Sequence, residues 1–221
     1  MNRLYLVRHG ENPANVDKKF SYKAIDYSLN EKGIMQARQT GEFFKNIPVD
    51  EVYSSPLKRT LETAQFIAEP HDLPVIQMEE FREINVGTLE GHNPTKEDWK
   101  LYIQTVTDWL QGKPELSFPG GENYIQLLER MQSGIRKIVA GKDNKNIVIA
   151  GHGGLFTMTI KDLCQNAEIK ELIKIDINNC SITEIEIDLS EDNWNGKLLT
   201  WGSCEHLSGS AAKLVAPALI V

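Results

Sequence analysis

Arg8, His9, Gly10 and Glu11 stand immediately after an uninterrupted apolar run, Leu4 to Val7. Such a run reads as a strand buried on both faces, of the kind found inside a parallel sheet. Far downstream, Asn146 to Ala150 is a second run of this type, followed by Gly151, His152, Gly153 and Gly154. In open α/β sheets ligands bind beyond the carboxyl ends of the strands, so Arg8 and both histidines are expected at one crevice. A cation beside imidazoles suits an anionic substrate. A neutral imidazole is also a nucleophile at physiological pH, because its ordinary pKa of about 6.5 leaves one ring nitrogen free. Gly10 is expected to remove bulk where a ligand approaches the backbone. Taken singly, His9 fits equally well as a hydrogen-bonded residue closing a strand; its pairing with His152 is what argues for chemistry.

Elements between the two runs must bring further groups to that edge. Asn30 reads as the cap of a helix reaching Asn46, with an apolar stripe through Ile34, Ala37, Gly41 and Phe44 and on to Ile47. Asp50 to Ser54 reads as a strand, and Ser55 with Pro56 as the N-cap and first residue of a helix packed through Leu57, Leu61, Ala64 and Ala68. That helix carries Arg59 in its first turn, at the same sheet edge as His9. A short strand over Leu73 to Met78 and helices over Lys96 to Leu110, Asn123 to Ala140 and Leu155 to Cys164 follow, with Ile125, Leu128, Met131, Ile135 and Ile138 as the core face of the second. Ser181 to Asp188 and Lys197 to Trp201 read as the last strands. The alternation predicts a three-layer α/β/α sandwich with a mostly parallel central sheet, a single domain over residues 1–207. Residues 88–120 break the alternation and are expected to form a cap inserted over the crevice. The tail 208–221 ends in an apolar run too short to span a bilayer. It is expected to be disordered or packed on the surface, where it leaves room for an oligomer contact such as a homodimer.

A net charge of −7 argues against a nucleic-acid surface, which usually carries a basic stripe. Any anion site must be a local concentration of cations within an acidic whole. Cys164, Cys180 and Cys204 are widely spaced and odd in number, which points to a reducing, cytoplasmic setting rather than a disulfide framework. Neither a signal peptide nor a membrane span is expected.

Arg8-His9-Gly10-Glu11 and Gly151-His152-Gly153, each after a strand, resemble the histidine phosphatase superfamily, also called the phosphoglycerate mutase-like family. Three intermediate stretches fit it in order. Ser54 to Ala64 resembles its second arginine segment, Phe81-Arg82-Glu83-Ile84-Asn85-Val86-Gly87 its acidic segment, and Phe118-Pro119-Gly120-Gly121-Glu122 the loop before its penultimate core helix. The resemblance spans residues 3 to about 207. It implies the phosphatase branch of the family, acting on a small phosphorylated metabolite through a phosphohistidine on His9, with no cofactor and no metal.

Phosphoryl transfer spreads negative charge over three equatorial oxygens, so the site must supply aligned donors. Arg8, Arg59 and His152 are expected to do so, guanidinium groups by gripping two oxygens at once. The leaving alcohol needs a proton, and Glu79, Glu80, Glu83 and Glu90 are equivalent candidates on residue type. The resemblance selects Glu83. It also implies a phosphate contact from Asn15, and Ser21 and the N–H of Gly153 are further candidate donors. His71, His92 and His206 are left outside the site, and Glu11 is expected to pair with a basic residue beside it.

This chain also departs from the pattern. Phe20-Ser21-Tyr22 stands where many relatives have Phe-Gln-Gly or Phe-Thr-Gly, Asn12 stands where mutases carry serine, and the basic insertion that mutases carry after the acidic segment is missing. These differences favour hydrolysis over the alternative, a cofactor-dependent phosphoglycerate mutase. A non-catalytic phospholigand-binding relative is a third reading, whose mark would be loss of His9, Glu83 or His152.

Overall fold

The computed structural model describes residues 1–190 and 193–213. Strand β1 (Asn2–Arg8) leads through a short helix α1 (Pro13–Val16) into α2 (Glu31–Phe44). Next come β2 (Glu51–Ser54), α3 (Lys58–Ala68), β3 (Val75–Gln77), α4 (Lys96–Leu110) and α5 (Tyr124–Val139). The chain continues with β4 (Asn146–Gly151), α6 (Gly153–Leu163), α7 (Ile169–Leu172), β5 (Ile182–Ser190) and β6 (Asn193–Ser203).

The six strands form one sheet in the order β3-β2-β4-β1-β5-β6. The first four are mutually parallel, and β5 and β6 are antiparallel additions at one edge. Successive side chains of a strand point to opposite faces, and β1 shows what lies on each. Leu4 and Leu6 join a core with α5 and α6 residues such as Leu127, Ile135 and Phe156. Tyr5 and Val7 join a second core with Phe44, Ala64 and Ile67 of α2 and α3. The mostly parallel α/β/α sandwich read from the sequence is the fold that forms.

Several local readings need correction. Helix α3 does not start at a Ser55 cap: Leu57 occupies the cap position without a side-chain bond, and the amide of Lys58 is met by Asp26 Oδ1 at 2.9 Å. Ser55 instead continues the sheet, its N–H donating to Ala150 O. Ile34 and Ile125, placed in core stripes, are 39% and 44% exposed. In α5 the buried face runs through Tyr124, Leu127, Met131, Ile135 and Ile138. In α2 it is shifted to Gly33, Ala37, Thr40, Gly41 and Phe44. Residues 208–213 lie against α2, where Gln36 Nε2 donates to Ala211 O and Ser210 Oγ lies near Met35 Sδ. The rest of the tail falls outside the described residues. Among the described residues no helix is long and apolar enough to cross a membrane.

Gly10 and Gly33 explain the shifted face of α2. A Cβ on Gly33 would sit 2.0 Å from Glu11 O, and one on Gly10 would sit 2.6 Å from Gly33 O. The bareness of Gly10 therefore serves the packing of the α2 N-terminus against the loop after β1, rather than a ligand. Gly33→Ala should destabilise the fold by about 1–3 kcal/mol, since backbone must move. This should hold even though alanine favours an ordinary helix position by up to about 1 kcal/mol. A lowered urea midpoint at unchanged m-value checks it; an unchanged or raised midpoint would show that the crossing has slack.

Candidate active site

The parallel register sets the site. Arg8 pairs with Gly151 across β1 and β4, so His9 and His152 each stand one residue beyond the same level of adjacent strands. His9 N donates to Gly151 O at 3.0 Å, carrying the ladder past the strand ends. The two rings meet edge-on with centroids 5.4 Å apart.

His9 is 3% exposed, and its Nδ1 lies 2.7 Å from Gly10 O. A carbonyl only accepts, so Nδ1 carries the hydrogen and Nε2 carries the lone pair. Burial, followed by the charges of Arg59 and Arg8, holds the imidazole pKa well below its ordinary value. The ring is therefore neutral at neutral pH, which is the state a nucleophile requires. Its carbonyl accepts from Asn179 Nδ2 at 3.0 Å and from the amide of Cys180 at 3.2 Å.

Arg8 and Arg59 flank His9. Arg59 is almost wholly enclosed, and its Nη1 and Nη2 donate to Ser21 Oγ at 2.9 Å and Ser21 O at 2.8 Å. Arg8 donates through Nη1 to Ile177 O, while its Nε is buried without a partner among the described residues. Burial lowers both pKa values, that of Arg59 to about 10. Neither guanidinium forms an ion pair with a carboxylate among the described residues. The backbone of Gly153 lies close beside Arg8: a Cβ there would meet Nε at 3.3 Å.

His152 stands behind this row rather than in the cavity wall. It is completely buried, with Nδ1 accepting from Arg59 Nη2 at 3.1 Å and Nε2 donating to Ser55 Oγ at 2.8 Å. Both ring nitrogens are thus engaged, and burial followed by the charge of Arg59 keeps the ring neutral. The expected direct phosphate donor is, in this arrangement, the residue that orients Arg59.

Glu83 lines the cavity from a segment without regular structure. Its Oε1 accepts from the amides of Ile84 at 2.9 Å and Leu155 at 2.8 Å, and Oε2 from Gly154 at 3.2 Å. The carboxylate thereby satisfies two of the unpaired amides that open α6. The amide of Gly153 has no partner among the described residues. Asn15 and Ser21 also line the cavity, but both are engaged by protein. Asn15 Oδ1 accepts from Asn12 N and Asn179 Nδ2, each at 3.1 Å, and Ser21 Oγ accepts from Arg59. Tyr22 turns its amide to Glu90 Oε1 at 2.6 Å, and Lys23 and Ile25 donate to the same oxygen. Glu11 pairs with Lys32 at 2.7 Å. The remaining histidines lie away from the cavity: His71 contacts Phe44 O, His206 contacts Thr40 Oγ1, and His92 contacts Asp98.

Residue types did not single out Asn12, which lines the cavity and whose Nδ2 is buried without a partner among the described residues. Its side-chain oxygen is held by Asn15 N in the cap of α1, so the amide hydrogens are aimed by the cap. The Asn12-Pro13-Ala14-Asn15 capping box was the available signal. The cavity holds about 390 Å³. Its lining also includes the apolar side chains of Phe20, Trp99, Tyr102, Val106 and Met158. Phe20 stacks at a tilt on Trp99 and Tyr102, with centroids 4.5 and 5.2 Å away. Among the described residues no group of three or more His, Cys, Asp or Glu is placed to hold a metal ion.

A neutral imidazole at a strand end near two guanidinium groups, with a carboxyl group lining the same cavity, is an arrangement suited to phosphoryl transfer. The profile of the histidine phosphatase superfamily (branch 1) matches residues 4–201, and the chain belongs to that family. Its class is accordingly that of a phosphoric monoester hydrolase. It is 32% identical over 209 residues to "Uncharacterized phosphatase PhoE" of Bacillus subtilis, covering 95% of this chain and 98% of that protein. It is 30% identical over 220 residues to "Probable phosphoglycerate mutase GpmB" of Proteus mirabilis, covering 96% and 97%. A mycobacterial glucosyl-3-phosphoglycerate phosphatase superposes with a TM-score of 0.77 at 23% identity, over 91% of this chain and 98% of that one.

Three histidines should make folding stability fall in mild acid. The pKa values of His9 and His152 are depressed by burial, and that of His206 to about 4. Below the unfolded value of about 6.5 the unfolded chain binds protons that the folded chain refuses, so stability drops as pH falls. Unfolding free energy from urea titrations between pH 7 and 5 should decline with a slope approaching about 1.4 kcal/mol per pH unit for each such histidine. A flat profile across that window would mean that the buried rings take up protons.

Proposed function

We propose that the protein hydrolyses a small phosphomonoester whose leaving alcohol carries an apolar or aromatic body, through a phosphohistidine on His9. The observation that carries this reading is that one cavity is lined both by the nucleophile and guanidinium groups and by an aromatic cluster of Phe20, Trp99 and Tyr102. His9 Nε2 attacks phosphorus, and the P–O bond to the alcohol breaks. Arg8 and Arg59 hold the equatorial oxygens, with His152 and Ser21 orienting Arg59 and Asn12, Asn15 and Gly153 completing the cradle; Ser21 Oγ gives its one hydrogen to Ile25 O and so does not donate to phosphate. Glu83 gives the leaving oxygen its proton. Water then attacks the phosphohistidine as Glu83 takes a proton back, releasing phosphate and the neutral ring. Three free cysteines, two of them buried, fit a reducing cytosol as the setting.

The similarity to a probable phosphoglycerate mutase favours a second reading, in which the phosphoryl group returns to another hydroxyl. That substrate carries two anionic groups and needs a second cationic grip. At this cavity the other lining cations are Lys18 and Lys19, of which Lys19 is paired to Asp17 at 3.2 Å, and Asp176 adds a negative charge to the same lining.

Two experiments test the hydrolase. In excess EDTA, a labelled phosphomonoester stopped by acid-free quenching should leave label on His9 only transiently, with inorganic phosphate as the main product. His9→Ala should abolish both. Label that persists for minutes and passes to added 3-phosphoglycerate would establish the mutase instead. Separately, Glu83→Gln should slow an alkyl ester by about 10²–10⁴-fold and 4-nitrophenyl phosphate by less than about tenfold, since nitrophenolate leaves without a proton. Equal losses would assign Glu83 to binding alone.

A further inference from the structure

Glu83 lies on residues 82–86, which belong to no helix or strand, so something outside them must fix its position. Amides of α6 hold the carboxylate. The main chain is held separately, by Arg130 of α5. Arg130 Nη1 donates to Glu80 O at 2.8 Å and Arg82 O at 2.7 Å, and Nη2 donates to Glu83 O at 2.8 Å. The remaining N–H groups, on Nε and Nη2, form a fork on Glu122 at 2.9 and 2.8 Å. All five guanidinium hydrogens are used. Glu122 in turn accepts from the amide of Asn85 at 2.7 Å, and its own amide donates to Asn85 O at 2.9 Å. One side chain and its carboxylate partner thus grip the loop on both sides of Glu83, without lining the cavity.

We infer that Arg130, locked by Glu122, is a positioning residue that sets the reach of Glu83 to the leaving oxygen. The inference rests on the proposed role of Glu83 in proton transfer. Proton transfer is sensitive to reach, and a displacement of about 1 Å can cost about 10²-fold. A lysine keeps the charge but has no fork and cannot span three carbonyls and a carboxylate. A loop freed in this way misplaces the acid while leaving His9, Arg8 and Arg59 where they are, because Arg8 ends β1, Arg59 is on α3 and the amide of His9 is bonded to Gly151 O. The defect should therefore follow the leaving group's need for a proton, which general destabilisation would not do.

Arg130→Lys should lower kcat/KM for an alkyl phosphomonoester by about 10–100-fold and for 4-nitrophenyl phosphate by less than about 3-fold. Glu122→Gln, which keeps one acceptor, should show the same preference more weakly. In a double-mutant cycle on the alkyl ester, Arg130→Lys added to Glu83→Gln should cost little beyond Glu83→Gln alone, because the arginine acts through the glutamate. Equal losses on both esters, or losses that multiply in the cycle, would overturn the inference and leave Arg130 a general stabiliser. Should Glu83→Gln itself discriminate between esters no better than wild type, the acid assignment fails, and the cycle still decides: multiplying losses refute the coupling and shared losses retain it.

Discussion

Two neighbouring guanidinium groups, Arg59 buried and Arg8 partly buried, that form no ion pair with a carboxylate among the described residues are the constraint on which the rest of this structure depends. Removing a charge from water costs several kcal/mol even after the protein relaxes. The fold accommodates Arg8 and Arg59 by giving their N–H groups neutral acceptors: Ile177 O, the hydroxyl and carbonyl of Ser21, and His152 Nδ1. Neutral acceptors orient a guanidinium without cancelling its charge. What remains is a concentrated positive field inside a protein whose net charge is −7. Burial first, and then that field, keep His9 unprotonated.

The loops that complete the site have little structure of their own and are held by polar groups from far along the chain. Glu90 accepts three amides of residues 22–25 and so presses Ser21 toward Arg59. Asp26 caps α3, Asn179 ties the carbonyl of His9 to the side chain of Asn15, and Arg130 grips the acidic loop. Each bond exchanges a water contact for a protein contact and adds only about 1–3 kcal/mol. Their larger effect is geometric, since they fix irregular backbone that the apolar core does not reach.

The apolar half of the cavity has a different origin. Helix α4 opens with a Thr95–Asp98 capping box and turns Trp99 and Tyr102 toward Phe20. Phe118 stacks on Tyr102 and meets Trp109 edge-on, so the cavity wall is continuous with the main core through aromatic contacts. Helix α4 is thereby packed onto the core of one layer of the sandwich.

What the sequence by itself determined is whatever depends on short-range pattern. Two buried-strand runs, each ending in a histidine, were enough for the parallel sheet and for the placement of Arg8, His9 and His152 at one edge of it. The order of segments around Arg59 and Glu83 was enough for the family. Tertiary structure decided whatever depends on a partner distant in the chain. Ser55 reads locally as a helix cap, yet its hydroxyl is taken by His152 and the cap is supplied by Asp26. Ile34 fits the helical period, yet contact between Gly33 and the loop after β1 rotates the buried face away from it. His152 has the residue type of a phosphate donor, yet its nitrogens face Arg59 and Ser55. Arg130 looks like any solvated helix arginine until the fold brings three carbonyls and Glu122 around it. Periodicity and caps act over a few residues and are written in the chain; the destination of a long polar side chain is set by which backbone groups the packed layers leave unpaired, and no local pattern encodes that.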